Sequence, residues 1–320
     1  MKRLFFSGLM MMLIFVASSG WAQKSVRLSI ATGSKGGIYY PIGEGLARIL
    51  SKYIPYVEAT VEVTTGSVEN CLLVEKGKAD LALVTTDKAW DAYQGRAQFK
   101  EKVPLRTLAV LYPNHMHVVA VEGKGIGKVS DLKGKRVSTG APGSGTEIMA
   151  LRVIEAFGLD PNKDIIRDRL SVSESAGALR DRKIDAFFWV GGLPTAAVAD
   201  LAATPGTKMK LIGHAEAVPK MREKYGPLYV EGTIPAGTYP GQNIDILIAV
   251  VWNLLVCNQN MKENVAFDIV RTLFDHKSEL ILSHSDAKYI SLDPQAAGGS
   301  PIPFHPGAAR YFNGKGLKIQ

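Results

Sequence analysis

The chain has 320 residues, of which 46% are apolar, and it carries 38 Lys and Arg against 30 Asp and Glu for a net charge of +8. That is enough apolar material for two lobes with separate cores, and two cysteines are too few for a disulfide-built scaffold. The basic residues are scattered rather than interleaved with aromatics, which argues against nucleic-acid binding and reads as solubility or attraction of anionic solutes.

In chain order, Lys2 and Arg3, an apolar run from Leu4 to Ala17 and the small residues before Ala22 make residues 1–22 a secretory signal peptide. The run is too short for a membrane anchor. Leu28, Ile30 and Ala31 then read as a buried strand, Gly33, Gly36 and Gly37 as a turn, and Ile42, Leu46, Ile49, Leu50 and Tyr53 as one face of a helix. A helix opening at such a turn leaves backbone N–H groups free at its positive end, so it can hold a small anion, with Ser34, Lys35, Tyr39 and Tyr40 as polar neighbours. The same glycines also suit a plain tight turn.

Thr64-Thr65-Gly66-Ser67 precedes a helix around Val68 to Glu75, where Ser67 suits an N-cap as well as a ligand contact. The strand Leu81 to Val84 ends in Thr85-Thr86-Asp87. Leu105 to Val121 reads as two strand-like runs joined by Pro113-Asn114, with His115 and His117 expected at a surface or pocket edge rather than on a metal. Arg136 to Ser138 leads into Thr139-Gly140 and then APGSGT, which sets Ser144, Gly145 and Thr146 at the mouth of another helix. A helix around Ala176 to Arg180 runs into a strand at Ala186 to Val190, where Trp189 followed by Gly191 and Gly192 suggests a flat wall open to a ligand. Ile246 to Cys257 reads as a strand returning beside Leu105 to Val121, Glu263 to Ser283 as one helix, and the tail from Ser291 as surface wrapping. An oxidising compartment permits a disulfide between Cys71 and Cys257, but two buried thiols are expected.

The order strand, glycine turn, helix, helix, strand thus occurs twice, which predicts an α/β fold of two lobes, each a doubly wound and mostly parallel sheet joined by a two-strand hinge. Lobe 1 is expected to hold residues 23–114 and 258–320 and lobe 2 residues 115–257, with hinges near Pro113 to His117 and Cys257 to Gln259. On this reading Leu28 to Ala31 and Arg136 to Ser138 lie in separate sheets. The expected ligand contacts are Ser34, Gly37, Tyr39, Tyr40, Thr65, Ser67, Thr85, Thr86, Ser144, Gly145, Thr146, Trp189 and Gly191, with neither metal nor cofactor.

ATGSKGGIYYPIGEGLARIL, TTGSVENCLLVEKGKADLALVTTDKAWDAYQG, STGAPGSGTEIMALRVIEAFGL, FFWVGGLPTAAVADLA and TIPAGTYPGQ, in this order, resemble the TAXI family of TRAP-associated extracytoplasmic solute receptors over nearly the whole mature chain. The resemblance implies a monomeric periplasmic protein, not an enzyme, that closes on a small carboxylate such as a dicarboxylate, glutamate, glutamine or 2-oxoglutarate. It implies delivery of that solute to a TRAP-type membrane permease driven by an ion gradient. Lys35 and Cys71 depart from the family pattern. The alternatives are a binding protein of an ATP-driven importer, which would share the architecture, and a secreted hydrolase using Ser144. PGSGT lacks the G-x-S-x-G elbow, and no His with an acid is recognisable as its relay.

Overall fold

The computed structural model describes residues 26–296 and 298–319, so the signal peptide expected at residues 1–22 lies outside the described residues. The first αβ pass comprises β1 (Val26–Ala31), α1 (Tyr39–Tyr53), β2 (Val57–Glu62), α2 (Ser67–Glu75), β3 (Leu81–Thr85) and α3 (Thr86–Gln94). β4 (Leu105–Val121) crosses to the second pass, which is β5 (Arg136–Ser138), α4 (Gly145–Ala156), β6 (Ile166–Asp168), α5 (Val172–Arg180) and β7 (Ala186–Gly191). α6 (Ala196–Ala202), β8 (Met209–Leu211), α7 (Val218–Tyr225) and β9 (Tyr229–Ile234) complete that half. β10 (Ile246–Asn258) crosses back, and α8 (Glu263–Asp275), α9 (Lys277–Ile281) and α10 (Pro306–Gly314) pack onto the first half.

Local chemistry sets the boundaries that matter for function. α4 starts where it does because the Ser144 hydroxyl at its N-cap accepts from the Glu147 N–H at 3.1 Å. α5 starts with a capping box between Ser171 and Glu174. Gly140, ahead of α4, has φ +102°, and a Cβ there would lie 2.7 Å from Thr146 Cγ2 and 2.9 Å from the Glu147 nitrogen, so both conformation and space require glycine. The helix expected from Glu263 to Ser283 is interrupted at His276, which leaves helical dihedrals and stacks its ring on Tyr53 of α1.

Among the described residues the strands form one mixed sheet in the order β2-β1-β3-β10-β4-β7-β5-β6, with β8 on β4 and β9 on β10. β1 pairs in parallel with β2 and β3, β5 pairs in parallel with β6 and β7, and β10 and β4 run antiparallel to their neighbours. Each half therefore repeats one order, three parallel strands and an antiparallel strand lent by the crossing.

The expectation of separate sheets for Leu28 to Ala31 and Arg136 to Ser138 is corrected by this ladder. Leu105–Val121 is one strand rather than two runs, because Pro113 sits opposite Trp252 where the register shifts, and an irregularity of that kind tolerates a missing N–H. The return crossing is also placed differently. β10 pairs with β9 through Val251 and with β3 from Asn253, so it changes partner upstream of Cys257 to Gln259, and Cys257 lies in the first half opposite Leu81 and Arg106.

Apolar clusters cover both faces of the sheet in each half. In the first half, α1, α8 and α10 pack with Leu28, Ile30 and Leu83 on one face, and α2 and α3 pack with Ala31, Ala82 and Val84 on the other. In the second, Met149 and Val153 of α4 pack with Val118 and Phe188, while Leu179 and Val198 pack with Val119 and Phe187. Burial of each such aliphatic side chain contributes about 1.5–3 kcal/mol, which is why the near-continuous apolar runs at Leu81 and Ala186 specify central strands. The tail turns back along β4: the Gln295 amide bonds both backbone groups of Val110 at 2.8 and 2.7 Å, and Phe312 is fully buried. Cys71 and Cys257 are free, buried thiols.

Candidate functional site

At the carboxyl ends of β1, β3, β5 and β7 the two halves meet round a cleft enclosing about 410 Å³ of empty space, its open mouth included. Its lining holds Ser34, Gly37, Tyr39, Thr65, Ser67, Thr85, Ser144, Gly145, Thr146 and Trp189 of the expected contacts. Gly33, Ile38, Gly66, Asn114 and Val190 complete it. Tyr40, Thr86 and Gly191 are not among the lining residues. Tyr40 lies under the exposed Lys35, with Nζ 5.6 Å from the ring centroid, and neither residue is in the lining. Thr86 is buried in the first turn of α3, because the helix begins directly after Thr85 rather than after a loop. Gly191 pairs with His115 in the sheet and backs onto Trp189.

The halves touch at several points round this cleft. The Gly143 carbonyl accepts from the Val68 and Glu69 N–H groups at 3.2 and 3.3 Å, so a loop of the second half caps α2 of the first. A Cβ on Gly37 would lie 2.8 Å from Trp189 Cη2, so the indole closes against bare backbone of the opposite half. Trp189 is held there by its Nε1–H donating to Thr195 Oγ1 at 2.9 Å. Asp286, from the segment after α9, accepts from the Leu193 N–H at 2.9 Å. These contacts bring the halves together around the cleft and leave its mouth open.

The mouth of α4 faces this space. At α4 the Gly145 and Thr146 N–H groups have no intrahelical partner, and the Thr146 hydroxyl accepts from the Val190 N–H at 3.2 Å. Opposite stand Ser67, which accepts from the Thr85 N–H at 3.1 Å, and Thr85, whose hydroxyl donates to Asp87 Oδ1 at 2.6 Å. Behind them Tyr39 donates to Asn253 Oδ1 at 2.6 Å, and burial raises the pKa of Tyr39, so it stays a neutral phenol.

Beneath the cleft lies a buried charge network that the sequence reading missed. Arg152 of α4 reaches Asp87 at 3.2 Å and Asp91 at 2.7 Å, both on α3 of the other half, while Lys88 pairs with the same two carboxylates. Tyr229 donates to Asp87 at 2.7 Å. Burial acts to raise the pKa of Asp87, but Lys88 and Arg152, with the hydrogen bonds from Thr85 and Tyr229, bring it below the ordinary carboxylate value. The signal for this network was the polar run Asp87-Lys88 directly after a buried strand.

Asn114, expected at the join between two strand-like runs, is buried within β4 and lines the cleft. His115 and His117 are buried rather than superficial, because β4 is covered on both faces; His117 Nε2 bonds the Tyr239 hydroxyl at 2.8 Å. Among the described residues no group of three or more His, Cys, Asp or Glu is placed to hold a metal ion.

Solved structures share this architecture. MatC from Rhodopseudomonas palustris with bound malate matches with a TM-score of 0.57 at 13% identity, over 84% of this chain and 92% of MatC. The GluR0 ligand binding core in complex with L-glutamate matches at 0.50 and 10% identity, over 82% and 97% of the two chains. A Listeria monocytogenes protein described as an L-cystine ABC transporter matches at 0.50 and 14% identity, over 83% and 98%. At such identities the likeness speaks for the fold, and the fold is the two-lobed α/β one of binding proteins. The sequence profile of the NMT1-like family matches residues 30–316, and the chain belongs to that family.

Proposed function

We propose that this chain is an extracytoplasmic solute receptor that closes two lobes on a small carboxylate and hands it to a membrane transporter. The observation that carries the reading is one cleft between the halves, with the free N–H groups of α4 and several hydroxyls at its lining and no charged side chain among the lining residues. Backbone N–H groups and hydroxyls bind a carboxylate by charge-assisted hydrogen bonds without arginine. Catalysis by Ser144 has no support: its hydroxyl caps α4, and no histidine lines the cleft.

The lobes are taken as residues 23–114 with 258–320 and residues 115–257, except that Asn253–Cys257, which pair with β3, belong with the first. Residues 1–22 are taken as the leader that sends a monomer to the periplasm. The likeness to the L-cystine ABC transporter protein favours an ATP-driven importer as partner. The TAXI-like motifs favour an ion-driven TRAP permease. A neighbouring gene encoding an ATPase with a phosphate-binding GxxxxGK[ST] loop decides for the first, and a many-spanning permease without one decides for the second.

The test is small-angle scattering with a thermal-shift screen of dicarboxylates, oxoacids and amino acids. Ligand that binds only the closed form raises the melting temperature and compacts the protein. A stabilising acid that leaves an open and a closed population unchanged argues for a rigid pocket and against a receptor that closes.

A further inference from the structure

We infer that the cleft is polarised, with a wall of donors facing a wall of acceptors, so that its ligand is a carboxylate bearing an N–H or O–H donor on the adjacent carbon. This rests on the receptor reading above and narrows its ligand class.

The Asn253 Nδ2 donates to the Tyr112 carbonyl at 3.0 Å, a group that can only accept, which fixes Asn253 with Oδ1 on its other side. That oxygen takes the Tyr39 hydroxyl hydrogen at 2.6 Å and a second bond at 2.9 Å from Asn114 Nδ2. Asn114 must therefore turn its own oxygen away from Asn253. Asn114 is 2% exposed, it lines the cleft, and its Oδ1 has no hydrogen-bond partner among the described residues. A buried amide oxygen left in this state is costly unless something donates to it.

The hydroxyls beside it have the same sense. Tyr39 has spent its one hydrogen on Asn253, so in the 3.3 Å contact between Tyr39 and Ser67 the hydrogen comes from Ser67. Thr85 gives its hydrogen to Asp87, and Thr65 gives its hydrogen to Glu69 Oε2 at 2.7 Å. Toward the cleft these groups offer lone pairs.

The wall at α4 is the reverse. Ser144 and Thr146 already accept from the Glu147 and Val190 N–H groups, so their hydrogens are free to donate beside the Gly145 and Thr146 N–H groups. A carboxylate fits that side and an ammonium or hydroxyl fits the other. An oxo group meets the acceptor wall with lone pair against lone pair, and a methylene leaves Asn114 unpaired.

The experiment is calorimetry on the full mature protein with two matched sets, glutamate, 2-hydroxyglutarate, 2-oxoglutarate and glutarate, and alanine, lactate, pyruvate and propionate. Within whichever set binds, the amino or hydroxy acid should bind about tenfold to a hundredfold tighter than the oxo and unsubstituted members. Preference for the amino acid over the hydroxy acid, or the reverse, identifies which donor is used, and either supports the inference. In Asn114→Leu the ratio between members should collapse towards unity, whereas purely structural damage lowers all affinities alike and keeps the ratio; a kept ratio overturns the role of Asn114. Oxo or unsubstituted acids binding as tightly as their donor-bearing partners overturns the polarised cleft while leaving the carboxylate receptor standing. Binding of no acid overturns both.

Discussion

Arg152→Met tests whether the charge network beneath the cleft is balanced as its geometry indicates. Asp87, Lys88, Asp91 and Arg152 carry two negative and two positive charges, and all are buried, Lys88 completely. Removal of Arg152 leaves one buried negative charge in excess and strips Asp87 and Asp91 of bonds at 3.2 and 2.7 Å. Breaking a buried pair from one side costs about 3–5 kcal/mol, and urea unfolding at pH 8 should show a loss of that size.

The pH dependence supplies a second reading. In the native protein Lys88 and Arg152 outweigh burial and hold the Asp87 pKa down. Without Arg152 the fold should favour a protonated acid, so its folded pKa rises above the unfolded value. A raised acid contributes stability that falls as pH rises, so the cost of the variant should be smaller at pH 5.5 than at pH 8. Arg152→Met with Asp91→Asn restores charge balance and should recover part of the loss. A cost under about 1 kcal/mol, of the kind exposed pairs give, or one equal at both pH values, refutes the argument.

Three further outcomes are expected. Burial lowers the pKa of His115 and His214 to about 4 and of His117 to about 3, so the unfolded chain takes up protons below about pH 6.5 that the fold refuses. Stability is then complete above that pH and lost as pH falls towards 4, by about 2 kcal/mol per histidine at pH 5; urea titrations that agree at pH 7 and pH 5 would contradict this. Ser144→Ala removes a cap and a donor together, so melting should report about 1 kcal/mol of lost stability and calorimetry a fivefold to hundredfold weaker ligand; unchanged affinity takes Ser144 out of the site. Gly37→Val places side-chain atoms where Trp189 Cη2 would lie 2.8 Å from a Cβ, so scattering should show a larger radius at saturating solute than for the parent, and equal radii would show that the indole is not a closing contact.

The repeated pattern, the central strands and most of the cleft were legible because apolar runs, glycine turns and helix caps are local signals. Ser144 and Thr146 could be put at a helix mouth from APGSGT alone. The continuity of the sheet was not legible, since Pro113 reads as a break and only its register opposite Trp252 shows how β4 continues through it. Asn114, Asn253 and Arg152 were missed for a related reason. Their roles come from partners far away in sequence, Asn253 meeting Tyr39 at a separation of 214 residues, and no short window shows such a pairing. Tyr40 and Thr86 fall outside the cleft lining because a polar residue next to a turn looks alike in sequence whichever way its helix turns it.

The loan of β10 to the first half has a consequence for the order of assembly. β3 receives its antiparallel neighbour only from Asn253–Cys257, so during synthesis this strand stays an unpaired edge until most of the polypeptide has been made. The first half cannot finish its sheet ahead of the second, and closing so long a loop makes folding slow and late rather than piecewise. A sheet completed this late leaves the nascent chain extended and threadable for most of its synthesis.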